Sequence, residues 1–222
     1  MRYLFLLVFL LGTASSSFAQ QASFAFGGQE MKRIGYSIFP KWAAMLARNT
    51  ETVAPASGTP ASGLPERSAC VPNPRFPCAV TADRYASFLD SNRALDRAAQ
   101  LKNINRFLNA SPYITDPVNW GVSDYWAALR EFMQKDGDCE DYAIAKYMTL
   151  KTLGWSVADM RVVVVQDENL NVPHAVLAVK LDGATWILDN QNQEMLPDKA
   201  IVHYRPFYSL NDQGFWIHAP KS

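Results

Sequence analysis

Three cysteines, 11 glycines and no excess of either charge are the scarce features of this 222-residue sequence. Lysine plus arginine and aspartate plus glutamate number 21 each, so the chain lacks the basic surplus of a nucleic-acid-binding protein. It also lacks internal repeats, Gly-rich blocks and Lys/Arg-rich blocks, which excludes solenoid architectures and phosphate-cradling loops of the common kind. After the first dozen residues there is no apolar run near the roughly 20 residues needed to span a bilayer as a helix. What is present is ordinary for a folded domain: 49% hydrophobic and 19% charged residues, too apolar for a disordered chain. The length suits one domain of about 150–200 residues with additions.

The N-terminus sets the compartment. Met1-Arg2 is a short positive region, Leu4–Leu11 (LFLLVFLL) is apolar, and Ser17-Phe18-Ala19 fits a cleavage site before Gln20. Residues 1–19 are therefore expected to be a signal peptide, an uncleaved anchor being the alternative. Removal leaves 203 residues, and loss of Arg2 gives a net charge of −1. The expected location is periplasmic or secreted, with no membrane span after cleavage.

In an oxidising compartment cysteines tend to pair. Cys70 and Cys78 stand in a Pro-rich loop, CVPNPRFPC. A disulfide between them would close a short loop, worth about 2–3 kcal/mol. Zinc is the rival reading, but no second ligand pair stands at metal spacing. Cys139 is then unpaired: buried and inert, a dimer link, or reactive.

Residues 20 to about 35 read as a loose N-terminus, and 52–67 as a Pro/Ala/Ser/Gly connector. Between them, Pro40–Arg48 reads as a short helix. Residues 20–81 are grouped as an extension and connector, and 82–222 as the folded domain. From Ala82 to Leu108 apolar residues recur at steps of three and four, predicting one amphipathic helix or two. Ser123-Asp124 could cap another through Met133. Asp136-Gly137-Asp138 is a turn, followed by a helix from Cys139 to Leu153 that Gly154 stops. Arg161–Gln166, His174–Val179 and Thr185–Asp189 read as strands, with Asp182-Gly183 as a hairpin turn. His203–Tyr208 is expected at a sheet edge, because Pro206 cannot donate to a ladder. Helices first and an antiparallel sheet afterwards make an α+β fold.

The hairpin has a geometric consequence. With Asp182 and Gly183 as the two turn residues, Asp189 opposes Val176. His174 lies on the same face as Val176, diagonal to Asp189 and within side-chain reach. Cys139 at a helix start sits in a field that favours the thiolate, with backbone amides able to hold an oxyanion. An imidazole could take the thiol proton and a carboxylate fix the imidazole tautomer. Each residue alone has a structural explanation; the joint order is what points to chemistry.

Asp136-Gly137-Asp138-Cys139-Glu140-Asp141-Tyr142-Ala143, then Pro173-His174-Ala175-Val176-Leu177, then Trp186-Ile187-Leu188-Asp189-Asn190, resemble the bacterial transglutaminase-like cysteine proteinases over about residues 85–218. The resemblance implies a papain-like/transglutaminase-like fold, with Cys139 as nucleophile, His174 as general base and acid, and Asp189 orienting His174. It also implies calcium beside the nucleophile, with Asp138 and Glu140 matching the acidic residues that flank that cysteine. Hard carboxylate oxygens suit Ca²⁺, although Asp138 as a helix cap would need no metal. Further implied are a protein substrate, a large surface adhesin among the candidates, and an inner-membrane receptor controlling access. A transglutaminase or amidase would use the same triad, and a binding module could keep the fold with an idle site. His203 and His218 lack a catalytic partner at useful spacing and read as structural. Trp120, Tyr125 and Trp126 read as cleft lining or packing, and Trp216 as core.

Overall fold

A computed structural model describes residues 21–50 and 82–219. The expected signal peptide, Cys70 and Cys78 with their expected bridge, and the Pro/Ala connector lie outside the described residues. The described elements are strands β1 (Gln21–Ala22) and β2 (Gln29–Arg33), then helices α1 (Pro40–Thr50), α2 (Ala82–Asn92), α3 (Arg97–Leu108), α4 (Asp116–Asn119), α5 (Leu129–Lys135) and α6 (Cys139–Thr152). Strands β3 (Met160–Asp167), β4 (Val172–Leu181), β5 (Ala184–Leu188), β6 (Leu196–Pro197), β7 (Tyr204–Asn211) and β8 (Gly214–Ala219) follow. They form an antiparallel sheet in the order β1-β2-β8-β7-β3-β4-β5-β6. The α+β expectation holds. Among the described residues no helix is long and apolar enough to cross a membrane.

Helix α6 is the axis of the molecule. Its residues from Asp141 to Leu150 are all buried, because α3 and α5 pack on one side and β3 and β4 on the other. A helix enclosed in this way needs apolar or internally satisfied residues around its whole circumference. The sheet splits its side chains by the two-residue period of a strand. Val162, Leu177, Val179, Leu188 and Leu210 join the helical core with Leu101, Ile104, Leu108 and Phe132. Val163, Val165, Val176, Ala178 and Ile187 pack on the other face with Phe24, Phe26, Ile201 and Tyr204.

Three expectations change, and one that left two alternatives open is decided. The segment after residue 20 is not loose throughout. Strand β2 pairs with β8, Phe24 and Phe26 are buried, and the Glu30 carboxylate accepts the Phe24 amide and the Arg161 guanidinium. Residues 82–108 are two helices, the second opened by Asp96, whose Oδ1 accepts the Ala99 amide at 2.8 Å. The helix expected from Ser123 starts only at Leu129, because the preceding amides bond elsewhere. Tyr125 N–H goes to Asp116, Ala127 N–H to Asp141, and Ala128 N–H to Glu131.

The last change concerns β7, which is internal, between β3 and β8. Pro206 is tolerated there by a bulge: Val164 pairs with Tyr208 and Val165 with Pro206, leaving Phe207 as the extra residue. The bulge lies beside His174, which pairs with Val165 from the other side.

Candidate active site

Cys139 is the first residue of α6. Asp141 fixes the turn before it, since its carboxylate accepts the Asp138 amide at 3.3 Å and the Ala127 amide at 2.7 Å. Gly137 permits this approach, because a Cβ there would overlap the Asp141 side chain. The Cys139 thiol donates to Glu140 Oε2 at 3.1 Å, and the Ala175 amide is directed at the sulfur. Sγ therefore lies beside the His174–Ala175 backbone. Cys139 and His174 share one cleft of about 240 Å³, lined also by Asp124, Trp126, Glu140, Pro173 and Tyr208.

The helix-start argument alone would favour the thiolate. Here burial, followed by the charges of Glu140 and Asp138, pushes the Cys139 thiol up instead. Burial and the local carboxylates together outweigh the helix field.

His174 and Asp189 meet as the hairpin register requires. Asp182 and Gly183 both have positive φ, 51° and 76°, as a two-residue type I′ turn demands. Leu177 pairs with Leu188 and Ala178 with Ile187, which carries Asp189 to the position opposite Val176. His174 Nε2 lies 2.9 Å from Asp189 Oδ1, and the two residues are only 3% and 5% exposed. Asp189 also accepts the Gln191 amide on Oδ1 and the Tyr204 hydroxyl on Oδ2. Burial opposes its charge, but these donors outweigh burial and hold its carboxyl below the ordinary range. With Nε2 engaged, Nδ1 is the imidazole nitrogen available to the thiol.

Carboxylates crowd the other side of Cys139. Oxygen atoms of Asp116, Asp138 and Asp141 lie within 4.8 Å of one another, as do those of Asp116, Asp124 and Glu140. Asp138 Oδ2 accepts the Asp116 amide at 3.3 Å, whereas Asp138 Oδ1 and Asp116 Oδ1 are buried without a hydrogen-bond partner. Burial, then mutual repulsion, raises Glu140 to about 8 and also raises Asp116, Asp138 and Asp141. Overlapping clusters of carboxylates, two of whose oxygens lack a hydrogen-bond partner, have the chemistry of a hard-cation donor set. Asp138 and Glu140 were expected from sequence; Asp116 was not. It stands in a short Asp-Pro turn, 22 positions before Asp138, with no spacing to announce it.

The remaining candidates divide. Trp126 lines the Cys139 cleft. Trp120 instead stacks on Tyr125 with centroids 4.3 Å apart. His218 is buried between Ser23 and Ser209, at 3.1 and 2.9 Å, and Trp216 is core. His203 packs edge-on against Tyr204 at 4.5 Å.

Comparison with known proteins bears on the family and the fold. LapG of Legionella pneumophila is 33% identical, covering 62% of this chain and 78% of that one, with a TM-score of 0.56. Its calcium-bound form is similar at 32% identity, 62% and 78% coverage and a TM-score of 0.56. An EGTA-treated form matches at 33%, with 62% and 76% coverage and a TM-score of 0.56. No curated protein matches the chain. The family model described as bacterial transglutaminase-like cysteine proteinase matches residues 70–221. The chain therefore belongs to the bacterial transglutaminase-like cysteine proteinases.

Proposed function

We propose that this cysteine peptidase hydrolyses a protein substrate through Cys139, His174 and Asp189. The observation that carries the reading is the buried 2.9 Å contact between His174 Nε2 and Asp189 Oδ1, in a residue that shares the Cys139 cleft. That contact fixes the imidazole with Nδ1 as the proton acceptor. The thiol proton passes to Nδ1 as sulfur bonds to the peptide carbonyl carbon. Backbone amides at the start of α6 receive the oxyanion. The C–N bond then breaks, and His174 returns its proton to the departing amine. His174 next takes a proton from water, which attacks the thioester and releases the acid and the thiol.

Calcium fits the carboxylate cluster. Asp138, Glu140 and Asp116 would hold it, two of them through buried oxygens that otherwise lack a partner. Bound there, a divalent cation supplies positive charge that offsets the carboxylates now opposing the Cys139 thiolate. The calcium-bound form of a similar protein supports this reading.

The similarity to LapG and the signal-like N-terminus support a periplasmic or secreted location. Family resemblance supports a large surface adhesin as substrate and an inner-membrane receptor controlling access. The test is labelling of Cys139 by iodoacetamide with and without EGTA, in the native protein and in His174→Ala. Labelling that requires His174 and falls with EGTA is expected; equal labelling of both proteins would overturn the triad. Product mass then distinguishes hydrolysis from amide transfer.

A further inference from the structure

We infer that Tyr204 is a positioning residue for the His174–Asp189 pair, holding the free oxygen of the carboxylate where Asp189 borders a second opening. The inference rests on the triad reading above. Asp189 Oδ1 is occupied by His174 Nε2 and the Gln191 amide, both at 2.9 Å. The Tyr204 hydroxyl donates to Oδ2 at 2.7 Å. With both oxygens held, the carboxylate cannot rotate about its terminal torsion and exchange them, so the imidazole has one orientation to follow.

The ring of Tyr204 does a second thing. Its centroid lies 5.6 Å from that of His174, tilted by 58°, and Phe26 packs edge-on against it at 5.9 Å. Behind the pair is a cavity of about 170 Å³, lined by Asp189, Gln191, His203 and Tyr204 but by neither Cys139 nor His174. Tyr204 is thus shared between the catalytic pair and a separate solvent opening. Water entering there would compete with the hydroxyl for Asp189 Oδ2 and hold the carboxylate in no single orientation. Burial, then the charge of Asp189, raises the Tyr204 phenol, so the proton stays on the tyrosine and its role is donation.

Tyr204→Phe separates positioning from packing, because the buried ring remains and only the donor is lost. Without that donor Asp189 directs more of its charge to the imidazolium. The basic limb of the pH profile for Cys139 alkylation should move to higher pH, and peptidase kcat should fall about tenfold with KM little changed. In an Asp189→Asn background the same substitution should add nothing, since the acceptor charge is gone. A Tyr204→Phe profile superimposed on the native one, or an undiminished effect in the Asp189→Asn background, would overturn the inference. His174→Ala serves as the control. If alkylation survives in it unchanged, the triad reading itself fails. If alkylation is lost there while Tyr204→Phe behaves as native, only the role of Tyr204 fails. Iodoacetamide needs no peptide, so the unknown cleavage sequence does not limit the test.

Discussion

Arg161 Nη1 donates to Glu30 Oε1 at 2.8 Å, joining two buried side chains 131 positions apart. The guanidinium also lies over the rings of Trp216, at 3.6 Å, and Phe24, at 4.3 Å. One side chain therefore ties the N-terminal strand to the centre of the sheet. Glu30→Ala would leave the guanidinium charge buried without its partner, and the Phe24 amide without its acceptor. The expected loss is about 3–5 kcal/mol of folding stability, read from urea denaturation. A loss under about 1 kcal/mol would mean that the ribbon is not part of the cooperative unit.

His218 gives a pH signature. Burial lowers it to about 4 from an ordinary value near 6.5; Glu30 opposes that shift and Arg161 adds to it. The unfolded chain therefore binds a proton that the folded chain refuses between those values. Stability should fall as pH drops from about 6.5 to 4, by about 2–3 kcal/mol from this group. His218→Gln should flatten that part of the curve in denaturation at pH 7 and pH 5. An equally steep fall in the variant would assign the effect elsewhere.

Lys146 gives the same sign in a higher pH window. It is completely buried on α6, its Nζ has no hydrogen-bond partner, and burial lowers it to about 7, with the Asp189 charge offsetting part of the shift. Since the unfolded lysine keeps its proton up to about 10.5, this group makes stability rise with pH above 7. Lys146→Met should raise stability at pH 7 by about 1–4 kcal/mol and remove that rise. A lower melting temperature in Lys146→Met would show that the amine has a partner worth more than its desolvation.

Calcium should stabilise as well as activate. Saturating Ca²⁺ is expected to raise the melting temperature over that in EGTA, in proportion to the logarithm of its concentration. Asp116→Asn should weaken calcium affinity about 10–100-fold by calorimetry and reduce that shift. An affinity equal to the native one would remove Asp116 from the ligand set.

Much of the site was legible because the hairpin is short. Asp182-Gly183 demands a two-residue turn, and from that alone the approach of His174 to Asp189 follows. Tyr204 and Asp116 were not legible. Tyr204 reaches Asp189 from a strand taken for an edge, because a proline usually marks one and nothing local announces a bulge. Asp116 opens the four-residue helix α4, whose position is set by bonds to Asp138 and Tyr125. The N-terminal strand was missed for a related reason: its partner β8 lies at the other end of the chain, and its one buried polar residue, Glu30, finds its partner in Arg161.

The two-residue turn between β4 and β5 also makes the enzyme a counting device. His174 stands seven positions before Leu181, so the turn lies about 20 Å from the imidazole. A single residue inserted there changes the parity of the pairing, and every side chain of β5 moves to the other face. Asp189 would then point away from His174 with no triad residue altered. Among natural variants, length changes at this exposed bend should be as rare as substitutions of the nucleophile, while sequence drift within it stays confined to residues that accept a positive φ.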